Sequence, residues 1–101
     1  MGTLIYGQGQ CELEIDDRTL AHLKVVMLTK LRRNESFAFS WAHGVENGSG
    51  RSTVWIHPTI PLEFRFYGSR IPSLNRDWVE RLLQTANSAE GMRVVPESGG
   101  N

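Results

Sequence analysis

Cysteine is almost missing from this chain: Cys11 is the only one in 101 residues. A single thiol forms no internal disulfide and cannot supply a multi-cysteine zinc site. Its neighbour Glu12 disfavours the thiolate, which argues against a nucleophilic role. Long apolar runs are also missing. The longest, Val25 to Leu28, is far short of the roughly 20 residues that span a membrane. Met1 to Tyr6 has no basic leader, and its apolar run stops at Gly7, so no signal peptide is expected. Tyr6 stands where a myristoylation pattern needs Ser or Thr. Charge of one sign is lacking too: eleven Lys and Arg balance eleven Asp and Glu. On totals this disfavours a strongly basic nucleic-acid binder or an acidic tail protein. The expectation is a cytoplasmic, soluble protein with no membrane, metal or cofactor partner.

The composition that is present, 40% hydrophobic and 22% charged, is ordinary for a folded domain. The length supports one core. Thr3 to Tyr6 and Glu12 to Ile15 alternate around the turn Gly7-Gln8-Gly9-Gln10, which predicts a β-hairpin. Asp16-Asp17 offers an N-cap. Leu20, Leu23, Met27 and Leu31 then mark the buried stripe of a helix, with Asn34 as its stop. Phe37 to Ala42, Thr53 to His57 and Leu62 to Tyr67 each alternate with period two, predicting an antiparallel meander. A glycine- and Asn-bearing loop from Gly44 to Gly50 and the prolines Pro58 and Pro61 punctuate it. Asn75 reads as the cap of a second helix that carries Trp78, Leu82 and Ala86, with Gly91 after it. Met92 to Val95 is a last short strand. The expected fold is α+β, in the order ββαβββαβ, with one antiparallel sheet and both helices on one face. It predicts a single domain over residues 1–95 and a flexible tail over 96–101.

Alternation also sorts the sheet faces. Phe37, Phe39, Trp41, Val54, Ile56, Leu62, Phe64 and Phe66 form an apolar face for the core, each worth about 1.5–3 kcal/mol on burial. The opposite face carries Ser36, Ala38, Ser40, Thr53, Trp55, His57, Glu63, Arg65 and Tyr67. Aromatics beside arginine on an open sheet can stack single-stranded bases without sequence preference. Trp55, Arg65 and Tyr67 are therefore candidate contacts. A second copy of the chain on the same face would instead make it a dimer interface.

Phosphate contacts are sought among the arginines. On the first helix Arg18, His22, Thr29, Arg32 and Arg33 project to the outward side. Arg51 closes the glycine-rich run Gly48-Ser49-Gly50. That run lacks a Walker lysine and leads into a strand, so it is no P-loop. The candidate nucleic-acid contacts are thus Arg18, Arg32, Arg33, Arg51, Trp55, Arg65 and Tyr67. His22, His43 and His57 show no metal-ligand spacing.

Several segments carry a family likeness across nearly the whole chain: Met1 to Gly7, Glu14 to Lys24, Lys30 to Arg33, Glu35-Ser36-Phe37, Gly48 to Arg51, Pro61-Leu62 and Leu74-Asn75-Arg76. They resemble a family of actinobacterial proteins of about this length, often labelled ATP-dependent DNA ligase. The resemblance implies a DNA-associated role. A nucleotidyl-transferring ligase needs its lysine in a K-x-D-G context. Lys24 precedes Val25-Val26-Met27 and Lys30 precedes Leu31-Arg32-Arg33, so neither matches. No catalytic residue carries over.

Three functions follow, in order. The first is a non-catalytic binding module, associated with nucleic acid. The second is a self-associating protein using the Trp55/Tyr67 face as a homodimer interface. The third is the ligase, or a ligase accessory, that the family label suggests.

Overall fold

A computed structural model of the chain describes residues 2–9, 11–42 and 50–97. The first hairpin pairs β1 (Gly2–Tyr6) with β2 (Cys11–Ile15), setting Leu4 opposite Leu13 and Gly2 opposite Ile15. Its turn needs left-handed backbone, which Gly7 and Gly9 adopt at φ 73° and 88°. Gln10 lies outside the described residues.

Helix α1 (Asp17–Arg32) starts where expected. The Asp16 carboxylate accepts from the Thr19 backbone N–H at 3.0 Å and from the Thr19 hydroxyl at 2.8 Å. It ends in a Schellman motif: Glu35 N donates to Lys30 O and Asn34 N to Leu31 O, with Asn34 at φ 64°. Helix α2 (Arg76–Ala86) is capped by Asn75, whose side chain accepts from Trp78 N.

The α+β class and the order ββαβββαβ hold. The single sheet does not. Strands β3 (Phe37–Ala42) and β4 (Arg51–Ile56) form the expected antiparallel pair, but β5 (Leu62–Arg65) leaves it. The connection over 57–61 holds two prolines and a turn in which Ile60 N donates to His57 O. It carries the chain off the β4 edge to β1, where Arg65 pairs with Thr3 and Leu62 with Tyr6. Strand β6 (Met92–Arg93) pairs with β3 in parallel, not antiparallel. Two three-stranded sheets result, ordered β2-β1-β5 and β4-β3-β6. The helices divide between them: α1 packs on β1, α2 packs on β3 and β6, and the helices pack on each other.

The core between these layers contains Leu4, Leu20, Leu23, Met27, Phe37, Phe39, Ile56, Trp78, Leu82 and Met92. The residues after β6 lie along α2. Trp78 Nε1 donates to Val95 O at 2.7 Å and Arg81 Nη1 to Pro96 O at 3.0 Å. Residues 96–97, the start of the expected tail, are thus bonded to the domain, and 98–101 lie outside the described residues.

Candidate binding face on the β4-β3-β6 sheet

Phe37 and Phe39 of β3 turn into the core, so Ala38, Ser40 and Ala42 face away from it. The register sets Trp55 opposite Ala38, Thr53 opposite Ser40 and Arg51 opposite Ala42. On the other side, the parallel pairing sets Arg93 beside Ser40. Partners across a ladder share a face. One outer face therefore carries Arg51, Thr53 and Trp55 along one strand, a floor of small residues, and Arg93 on the far side.

The floor is low because its residues are small. It is closed at one end by Gly91, at φ 88°, where an added Cβ would stand 2.8 Å from Ala38 Cβ. The Ser40 and Thr53 hydroxyls bond each other at 2.7 Å in its middle. A depression of about 420 Å³ opens there between Arg51 and Arg93. A second, of about 460 Å³, continues towards Leu13 and Ile15 of β2, and both include Ser40, Arg51 and Arg93.

Both guanidinium groups on this face keep donors for a ligand. The Arg51 side chain makes no ion pair or hydrogen bond among the described residues. Arg93 reaches Glu90 only at 3.5 Å, on an exposed surface where such a pair adds little. Trp55 is 58% exposed. Its carbonyl accepts from the Tyr6 hydroxyl, which ties the end of β4 to β1. Burial pushes the Tyr6 phenol above its ordinary value, keeping it protonated as the donor.

The remaining candidate contacts lie elsewhere. Arg18 is consumed by a fork to Glu97, Nε to Oε1 at 2.8 Å and Nη2 to Oε2 at 2.6 Å. Its Nη1 donates to Ser73 O. The Arg18 fork, helped by the Asn75 amide, holds the Glu97 carboxyl down at about 2. Arg32 and Arg33 are exposed at the end of α1. Arg65 pairs with Glu63 at 3.0 Å on β5, in the other sheet. Tyr67 follows β5 and is 85% exposed. The structure therefore brings Arg51 and Trp55 together and separates both from Arg65 and Tyr67, because β5 pairs with β1.

His22, expected on the outward side of α1, is fully buried against Trp78, their ring centroids 4.4 Å apart. The start of α2 covers that side of α1, a contact that helical projection alone does not contain. Lys30 is held by Glu35 at 2.9 Å and Asn87 at 2.6 Å, and Lys24 lies over the Phe66 ring. His57 caps its own turn through Thr59. His43 and residues 44–49 of the expected loop lie outside the described residues.

Arg93 is the contact that sequence reasoning missed. The signal was there: Gly91, then an inward Met92 and an outward Arg93. Its place beside Ser40, however, depends on a parallel pairing. Among the described residues no helix is long and apolar enough to cross a membrane, and no group of three or more metal-ligating side chains gathers.

A family model described as a domain of unknown function (DUF7882) matches residues 1–97. No curated protein and no solved structure matches the chain.

Proposed function

We propose that this chain, which belongs to the family of domains of unknown function DUF7882, is a non-catalytic binding module. It takes single-stranded nucleic acid on the outer face of the β4-β3-β6 sheet. The observation that carries this is the ladder register. It puts an exposed indole, the unpaired Arg51 guanidinium and the Arg93 guanidinium, which reaches Glu90 only at 3.5 Å, around a hydroxyl-lined trough on one face. Arg51 and Trp55 lie four residues apart on β4, about 14 Å at 3.4 Å per residue. Bases stack on Trp55, while phosphates meet Arg51 and Arg93. The DNA association implied by the family resemblance agrees with this reading.

The test is fluorescence anisotropy of a labelled oligothymidylate titrated with protein at low salt. Two phosphate contacts on a single strand give a slope of log K against log salt of about −1.4, at about −0.7 each. Arg51→Ala and Arg93→Ala should each flatten that slope, and Arg65→Ala, on the other sheet, should leave it unchanged. No anisotropy change at high micromolar protein removes the reading. A second copy of the chain is the competing occupant of this face. Light scattering that shows a dimer dispersed by Trp55→Ser would favour it.

A further inference from the structure

A second surface, independent of the sheet face, lies between α1 and the segment over residues 66–74. Its centre is an apolar hollow of about 250 Å³. Ala21 and Val25 of α1 form one wall, and Phe66, Ile71, Pro72 and Leu74 form the other. Ile71 is 88% exposed and Leu74 52%. Apolar side chains held this far into water without a partner mark interaction sites.

The segment does not collapse onto α1 because polar bonds fix both of its ends. At the start, the Asp17 carboxylate accepts from the backbone N–H groups of Tyr67 and Gly68, at 3.0 and 2.8 Å. These two bonds hold the Asp17 carboxyl below the usual carboxylate range. At the end, Arg18 donates to Ser73 O at 2.9 Å and Asn75 N donates to His22 Nε2 at 2.8 Å. Asp17, Arg18 and His22 all lie on the first two turns of α1. The loop is therefore hung from one helix by its two ends, with its apolar middle held open. A hollow preformed in this way avoids the ordering cost of binding.

The rim identifies the occupant. Lys24 stands on the α1 side, its ammonium 5.7 Å from the centre of the Phe66 ring. Arg70 stands on the loop side. Neither meets a carboxylate among the described residues, so both charges at the rim are open to a ligand. The volume is below the roughly 300–1,000 Å³ of small-molecule pockets and suits one or two apolar side chains. We infer that this hollow docks a short acidic segment of a partner protein. The partner inserts apolar side chains between Val25 and Ile71 and sets flanking carboxylates on Lys24 and Arg70. The recognition is that of an anchor in a groove with charge complementarity at its edge.

The probe is a fluorescein-labelled nine-residue peptide with a central Leu-Phe pair and two glutamates on each side, titrated into the full chain. Amide shifts in ¹⁵N spectra should move at Lys24, Val25, Ile71 and Leu74 and not at Thr53 or Trp55. The same peptide with lysines for glutamates, or serines for Leu-Phe, should bind at least tenfold more weakly. Lys24→Glu with Arg70→Glu, both exposed changes, should reverse the preference between the acidic and basic peptides. Circular dichroism establishes that the variant folds. Equal binding of the two peptides, shifts confined to another surface, or no binding at millimolar peptide overturns the inference. So does a dimer formed by the chain alone and dispersed by Ile71→Ser, which would show the occupant to be a second copy.

Discussion

The ring of His22 joins the two helices: its Nε2 accepts the backbone N–H of Asn75, 53 residues away, at 2.8 Å. Its other nitrogen, Nδ1, lies 2.7 Å from Arg18 O, one helical turn back, and so carries the ring proton. One buried imidazole thus serves a carbonyl on α1 and the N-cap residue of α2, and packs at a tilt against Trp78 as well.

His22→Phe keeps a planar aromatic ring, somewhat larger, but leaves the Asn75 N–H without its acceptor and the Arg18 carbonyl without the ring proton. A destabilisation of about 1–3 kcal/mol is expected. His22→Ala adds a cavity under Trp78 and should cost about 3–5 kcal/mol, the range for losing a large buried side chain. Urea denaturation followed by Trp fluorescence measures both. Equal stability of His22→Phe and the parent would show that the bond to Asn75 contributes nothing.

The fork between Arg18 and Glu97 predicts a pH dependence. The Glu97 carboxyl is depressed from 4.5 to about 2 in the folded chain, first by the Arg18 bonds and then by Asn75. A depressed carboxylate stabilises the fold above its unfolded value and loses that contribution as pH falls through the folded one. The window therefore runs from pH 4.5 down to about 2. Carbon NMR of the Glu97 carboxyl should show a midpoint near 2. In Arg18→Met that midpoint should return towards the ordinary carboxylate value.

Gly91 should not tolerate a side chain. Its φ is 88°, and a Cβ would stand 2.8 Å from Ala38 Cβ and 2.9 Å from Ala38 O. Gly91→Ala is expected to cost about 1–3 kcal/mol through backbone strain alone. It should also weaken oligothymidylate binding, since β6 carries Arg93 to the face. Retained stability with lost binding would locate the effect in β6 placement alone.

The three tryptophans should differ in access. Trp55 is 58% exposed, Trp78 is 3% exposed and Trp41 is partly buried. Acrylamide quenching should lose its steepest component in Trp55→Phe. Bound oligothymidylate should protect the same component in the parent. Protection that persists in Trp55→Phe would place the ligand elsewhere.

Local chemistry was legible in the residues. Asp16, Asn34 and Asn75 act at the helix ends their side chains predict, and period-two alternation sorted Ala38, Ser40, Thr53 and Trp55 onto one face. What was illegible is what distant segments do to one another. Nothing within Leu62 to Tyr67 says whether its partner is β4 or β1, since either pairing buries Leu62 and Phe64. That choice moves Arg65 and Tyr67 away from Trp55. Likewise Arg18 reads as an exposed cation on α1 until Glu97 arrives from 79 residues away. His22 reads as solvent-facing until the start of α2 lies over it.

The strand that brings Arg93 to the candidate binding face is two residues long. Its backing is the Thr85 hydroxyl, which accepts from Arg93 N at 3.2 Å, and the bonds of Val95 and Pro96 to α2. Such a segment can open on its own, at a free energy below that of global unfolding. Opening removes the Arg93 guanidinium from the trough while β3 and β4 stay paired. For the proposed ligand, occupancy of the trough and closure of residues 91–97 are therefore expected to be linked, each favouring the other to the same extent. A ligand on Arg93 should slow amide exchange as far along the chain as Glu97.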